Sequence, residues 1–309
     1  MIIERTGPIR TPSNRGVGRR RLLAAGLGVG GSILGAPTIA GAVPSWSSSR
    51  SATSDPVAAL EDKLDSRIGL YARNLGTDAT LAHRADDREA MCSTFKTLAA
   101  ATALRRGIDL DRVIRYARSD LVDYSPITGE RRRMTVGELC DAAIRYSDNA
   151  AANLLLERIG GPRGLTRDLR RLGDRVTRLD RWETELNTAI PGDPRDTSST
   201  PRALATTYRR LTLGDGLTGS DRWALRGWLE ANTTSVKTFR AGLPEGWWSA
   251  DKTGSGSYGV TNCAGLVSAP DGTQIIFAAL TRRSTTDPDA TGHPGLMRSI
   301  SELIVAEVA

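Results

Sequence analysis

From residue 93 to residue 213, leucines and alanines recur at three- and four-residue spacings, and strand-like segments lie only before and after that stretch. A strand cannot satisfy its backbone hydrogen bonds alone. The two sets, distant in sequence, must therefore share one sheet, with the helical middle set aside as an insert. Ahead of the insert, Asp55-Pro56 opens a helix expected from Val57 to about Arg67. Gly69–Arg73 and Thr80–His83 follow as short strands around a turn at Gly76-Thr77-Asp78. Behind the insert, Gly265-Leu-Val and Ile275-Ile-Phe-Ala-Ala-Leu read as strands separated by the turn Ala269-Pro-Asp-Gly-Thr273, and a helix from about Pro294 to Val308 closes the chain. The expected fold is α/β plus an all-α lobe: an antiparallel sheet flanked by helices, completed by N- and C-terminal segments, with an inserted helical domain. Residues 56–90 and 235–309 would form the α/β lobe and residues 91–234 the helical one.

Residues 1–42 run from a basic region ending in Arg19-Arg20-Arg21-Leu22-Leu23, through a Gly- and Ala-rich apolar stretch, to Ala40-Gly41-Ala42. That is the layout of a signal peptide, and the paired arginines resemble the twin-arginine export type. Glycines interrupt the apolar run and a small-x-small site follows it, so cleavage near Ala42 is expected rather than a stable membrane anchor. Export machinery is the expected partner of this segment, and the mature chain is expected outside the cytoplasm as a monomer. Residues 43–55 hold six serines and a proline and read as a linker. The signal segment carries six arginines against Glu4, so it accounts for five of the seven net positive charges. What remains is too weakly basic to suggest nucleic acid as a partner, and Arg131–Arg133 reads as a solvated loop.

Two histidines and three cysteines without C-x-x-C spacing offer no zinc cluster, and no metal or other cofactor is expected. The histidines also lack a supporting G-x-S-x-G motif, which weakens a Ser-His-Asp hydrolase. Lysine is the exception among the basic residues: only four of 42, namely Lys63, Lys96, Lys237 and Lys252. Arginine keeps its proton at working pH whereas a desolvated lysine can release it, so a site that shuttles a proton through an amine must use lysine.

Ser93-Thr-Phe-Lys96 opens a helical stretch running to Arg106-Gly107, and residues three apart on a helix share a face. A serine there becomes a nucleophile when a neighbour such as a partly buried lysine takes its proton. Backbone N–H groups at the helix start can help to hold an oxyanion. Ser249-Ala-Asp-Lys252 has the same spacing but sits in a probable strand, where positions three apart face opposite ways. Ser147-Asp-Asn149 precedes a helix with a leucine face and doubles as a capping turn. Lys252-Thr-Gly254 enters a Gly- and Ser-rich stretch suited to an edge strand open to a ligand.

The three motifs together, in this order, resemble the S-x-x-K, S-D-N and K-T-G set of class A β-lactamases. The likeness covers about residues 57–309 and implies the β-lactamase/transpeptidase-like form of the fold described above. Arg181-Trp-Glu-Thr-Glu-Leu-Asn187 followed by Pro191-Gly-Asp-Pro-Arg-Asp196 resembles the family's Ω-loop, here residues 181–196. The resemblance implies Ser93 as the nucleophile, with Lys96 as its proton partner or Glu183 as base through a water. Ser147 would protonate the leaving ring nitrogen, and Glu183 with Asn187 would hold the hydrolytic water. Asn149 would bind the acylamino group, Lys252, Thr253 and Ser255 the carboxylate, and the N–H groups of Ser93 and Ser255 the oxyanion. Tyr124 would wall the mouth of the cleft, and Arg181 and Asp196 would close the loop base. The substrates so implied are penicillins and cephalosporins, hydrolysed at the lactam amide with antibiotic resistance as the result. Ser255-Gly-Ser257 resembles members that accept oxyimino-cephalosporins.

Departures from the family pattern bear on these expectations. Where many relatives have a disulfide to the position of Cys140, the partner position is Ala100, so no disulfide is expected there. Gly256 stands where some carbapenem-hydrolysing members pair a cysteine with the position of Cys92. The usual arginine behind the K-T-G strand is missing, with Thr261 and Thr238 in two of its places; Arg240 and Arg282 remain as substitutes. A D-Ala-D-Ala carboxypeptidase and a β-lactam sensor would also acylate at Ser93. They differ in deacylation, and Glu183 with Asn187 is the feature that favours a β-lactamase.

Overall fold

The computed structural model describes residues 55–309; the expected signal segment, and the expected linker up to residue 54, lie outside the described residues. Asp55 caps the first helix, α1 (Pro56–Leu64), by accepting from the Val57 and Ala58 N–H groups, with Pro56 in the first turn. The helix stops at Leu64, short of Arg67. Asp65 takes a left-handed conformation (φ 44°), and Ser66 already begins β1 (Ser66–Asn74), which pairs with β2 (Thr80–His83).

The insert begins with a single 3₁₀ turn at Cys92–Thr94, and the α-helix proper, α2, runs Phe95–Arg105. Ser93 therefore lies just before the helix rather than in it. The tighter turn still stacks residues three apart, so the spacing to Lys96 keeps its meaning. Every residue of α2 from Phe95 to Leu104 is buried, and its run of alanines lets neighbouring helices close in around it. Residues 91–234 are not wholly helical, however. β3 (Val113–Arg115) pairs antiparallel with β4 (Arg133–Thr135), so Arg133 is in a strand while Arg131 and Arg132 are exposed beside it. Alternation over three residues is too short to be read from sequence.

Helices α3 (Val136–Arg145), α4 (Asn149–Arg158), α5 (Gly161–Arg171), α6 (Pro201–Thr212) and α7 (Gly219–Glu230) complete the insert. The chain then forms β5 (Trp248–Gly256), β6 (Val260–Ser268), β7 (Gln274–Arg283) and α8 (Leu296–Val308). The main sheet has the order β2-β1-β7-β6-β5 with all neighbours antiparallel. Its centre joins the two ends of the chain: Ser66 pairs with Arg283 and Asn74 with Ile275.

Each strand feeds two cores by alternation. Tyr71, Leu266 and Ile276 face the helical insert, whereas Leu70, Val267 and Phe277 face α1 and α8, where Phe277 stacks on Phe239. Covering both faces explains why β6 and β7 read as continuous apolar runs. β5 is left as the edge strand on the side of the nucleophile turn, opposite the β2 edge.

Candidate active site

A cavity of about 500 Å³ lies between β5 and the insert and brings together Ser93, Tyr124, Ser147, Asn149, Asn187, Thr253 and Ser255. Lys96 and Glu183 stand immediately beneath, with fully buried side chains. All the residues singled out in the three motifs thus meet at one place.

Lys96 is the hub. Its Nζ donates to the Ser147 carbonyl (2.7 Å), to Asn149 Oδ1 (2.5 Å) and towards Ser147 Oγ (3.3 Å), and stands 3.0 Å from Glu183 Oε1. Burial is the main influence on this amine and lowers its pKa, while Glu183 opposes the shift. The Ser93 hydroxyl donates to Glu183 Oε1 at 3.3 Å, so the group already accepting from the nucleophile is the carboxylate. Glu183 Oε2 accepts from Asn187 Nδ2 at 2.6 Å.

Ser147 takes a left-handed conformation (φ 59°), and Asp148 caps α4 through the Ala151 N–H. The same turn therefore caps α4 and sets Ser147 and Asn149 in the wall of the cleft. Asp148 fixes the turn that aims Ser147 and Asn149 at Lys96. Asn149 also donates through Nδ2 to the Asp123 carbonyl (2.8 Å), and its N–H donates to the carbonyl of Tyr124 (3.0 Å), whose ring is 63% exposed.

From β5, Lys252 Nζ donates to Ser147 Oγ (3.1 Å) and to the Thr253 carbonyl (2.9 Å). Ser147 Oγ thus sits between two lysines. Desolvation first, and then the charge of Lys96, bring the Lys252 pKa down to about 7. Gly254 permits the close crossing of β5 and the nucleophile turn: a Cβ there would lie 2.9 Å from the Met91 carbonyl and 3.1 Å from the Ser93 nitrogen. At Gly256 an added Cβ would meet the Asn187 carbonyl at 2.7 Å and Cys92 Sγ at 2.9 Å. All three cysteines are buried and free.

The loop carrying Glu183 is closed by Arg181, whose Nε lies 2.7 Å from Asp196 Oδ1. Asp196 Oδ2 also accepts from Thr188 Oγ1 and from the Ile190 N–H, both at 2.9 Å.

Neither candidate arginine reaches the cleft. Arg240 Nε lies 2.6 Å from Asp251 Oδ1, and Arg282 lines another cavity with its Nε 3.6 Å from Glu89. The cleft lining among the described residues contains no arginine, only threonines 234, 238 and 261 in that quarter.

Three contributors escaped the sequence reading. Asn153 accepts the Glu183 N–H (3.0 Å) and donates to its carbonyl (2.8 Å); as the second amide of α4, one turn after Asn149 among alanines and leucines, it left a visible signal. Thr234, which reaches Thr253 from a loop, and Asn232, which binds Thr234 and Asp251, left none.

A family model described as "Beta-lactamase enzyme family" matches residues 52–308. The chain is 46% identical to a β-lactamase of Streptomyces cellulosae, over 94% of this chain and 96% of that one. It is 48% identical to the β-lactamase AST-1 of Nocardia asteroides, over 93% and 95% respectively. Among solved structures, the β-lactamase of Streptomyces albus G superposes with a TM-score of 0.79 at 45% identity, covering 82% of this chain and 98% of that one. An ancestral class A β-lactamase gives 0.76 at 47% identity, covering 81% and 97%. Likeness at this level, running the length of those enzymes, makes this chain a member of the class A β-lactamase family.

Proposed function

We propose that the protein hydrolyses the amide bond of penicillins and cephalosporins through an acyl-enzyme on Ser93. The observation that carries this reading is the double engagement of Glu183, which meets Ser93 and Lys96 through one oxygen and Asn187 through the other. A sensor keeps its β-lactam ester and a penicillin-binding peptidase releases that ester slowly, whereas a β-lactamase must drive a water at it quickly. A carboxylate placed between nucleophile and amide serves both half-reactions.

In this scheme Lys252, Thr253 and Ser255 receive the substrate carboxylate, Asn149 takes the acylamino group and Tyr124 flanks the entrance. Ser93 attacks the lactam carbonyl and passes its proton to the Glu183–Lys96 pair, while the Ser93 and Ser255 N–H groups hold the oxyanion. As the ring C–N bond breaks, Ser147 gives its proton to the nitrogen and is resupplied from the lysines on either side. A water held by Glu183 and Asn187 then attacks the ester, Glu183 takes its proton, and as the ester C–O bond breaks the proton passes back to Ser93 through the Glu183–Lys96 pair, which frees the serine hydroxyl and the opened product.

Residues 1–42 serve in this proposal as a twin-arginine-type export signal cut near Ala42, with residues 43–55 as a tether. Residues 56–90 and 235–309 form the sheet-bearing lobe, and residues 91–234 the insert. The mature monomer would act outside the cytoplasm and protect the cell from β-lactams. Purified protein should turn over the chromogenic cephalosporin nitrocefin and lose that activity in Ser93→Ala. Equal turnover by the two proteins would exclude Ser93 as the nucleophile.

A further inference from the structure

Asn232 is 2% exposed, and its amide orientation is fixed. Its Nδ2 donates to Asp251 Oδ2 at 2.9 Å, and Asp251 is held from its other oxygen by Arg240 at 2.6 Å. Oδ1 therefore faces Thr234, where it accepts the backbone N–H at 3.1 Å and the hydroxyl at 2.8 Å. A threonine hydroxyl has one proton to give. That of Thr234 is committed to Asn232, yet Thr234 Oγ1 also stands 2.5 Å from Thr253 Oγ1. The proton in that contact must come from Thr253. In the free enzyme the Thr253 hydroxyl consequently turns its hydrogen away from any third group.

A carboxylate accepts hydrogen bonds and gives none. With no arginine in the cleft lining, the donors left for it there are few, and Thr253 is one. We propose that Thr234 is a positioning residue that holds the Thr253 proton away from the substrate carboxylate and so sets KM for carboxylate-bearing β-lactams. Binding frees the proton by one of two rotations. Either Thr253 turns from Thr234 to the substrate, or Thr234 gives up Asn232 and donates to Thr253. Each breaks one neutral hydrogen bond to make a charge-assisted one. The inference rests on the reading of Thr253 as a carboxylate-binding group.

Thr234→Val removes the competing acceptor while keeping the side-chain outline; Thr234→Ala removes it without the added methyl group, and Thr234→Ser restores it. The measurement is kcat and KM for benzylpenicillin and for its methyl ester, which carries no charge at that position. A hydrogen bond is worth about 1 kcal/mol net, so KM for benzylpenicillin should fall roughly twofold to tenfold in the Val and Ala variants. The ester should be little affected, kcat should hold, and the Ser variant should match the parent. A partly misfolded variant loses kcat on both substrates together and leaves the acid-to-ester ratio of kcat/KM where it was. If that ratio is unchanged or lower in both the Val and Ala variants, the proposal is wrong. Failure of the parent protein to hydrolyse benzylpenicillin would defeat the β-lactamase reading instead, and is told apart by that control.

Discussion

Lys96 Nζ lies 3.0 Å from Glu183 Oε1, and neither side chain exposes any surface. A buried pair of this kind couples the two half-reactions, because removing the carboxylate changes what the amine can do. With Glu183→Ala, Lys96 loses the interaction that opposes its desolvation and is more often in the neutral form that can take a proton from Ser93. Acylation should persist, whereas deacylation, deprived of its base, should slow about 10²- to 10⁴-fold. Mass spectrometry of the variant with benzylpenicillin should show one intact penicillin on Ser93, absent from Ser93→Ala. Turnover at the parent rate with no adduct would remove Glu183 from the deacylation step.

Lys252 gives a second handle, through pH. Its pKa is brought to about 7 in the free protein, and only its protonated form attracts a carboxylate. The protonated fraction falls as pH rises through that value. For benzylpenicillin, kcat/KM should therefore decline above about pH 7, since this ratio reports groups of the free enzyme. The methyl ester should decline less, and identical profiles for acid and ester would show that Lys252 does not set the limb.

At the loop base, Arg181→Ala would leave the Asp196 carboxylate buried with only Thr188 and Ile190 for partners. Breaking such a pair from one side destabilises by about 3 kcal/mol or more. Asp196→Asn removes the charge with it and should be milder. Thermal unfolding of the two variants, with acyl-enzyme accumulation measured alongside, tests the order; a larger effect from Asp196→Asn contradicts it.

Burial raises the pKa of all three thiols, chiefly by desolvation, which keeps them from reacting as thiolates. Titration with a thiol reagent without reductant should count none rapidly in the native protein and three after denaturation. A count of one after denaturation would reveal a disulfide.

Cefotaxime should be turned over, with Ser255 as the added donor to the cephalosporin carboxylate. Ser255→Ala should cut kcat/KM for cefotaxime about threefold or more, the scale of one hydrogen bond, and cost benzylpenicillin less. An equal loss on both substrates would separate Ser255 from cephalosporin preference.

The motif residues were legible because the chemistry limits the residue types and the spacing limits their geometry: Ser93 and Lys96 still share a face although the helix begins two residues later. The general plan of the sheet was legible for a related reason, since strands at both chain ends complete their backbone hydrogen bonds by joining one sheet. What escaped depended on tertiary contact. Alternation too short to register formed β3 and β4. Thr234 was invisible because its meaning lies in Asn232 and Thr253, residues it meets across a loop. The choice between Arg240 and Arg282 could not be made from sequence because each is held by a different carboxylate, Asp251 and Glu89, away from the cleft.

The pairing of β1 with β7 joins residues more than 200 positions apart in the chain. Contacts of that span are entropically the slowest to close. During synthesis the side chains of Ser93, Lys96, Ser147 and Glu183 are present long before β7 exists, and that of Lys252 shortly before it. They remain without a common frame until β7 returns to the first strand, so a premature stop ahead of residue 274 should abolish nitrocefin turnover as completely as Ser93→Ala.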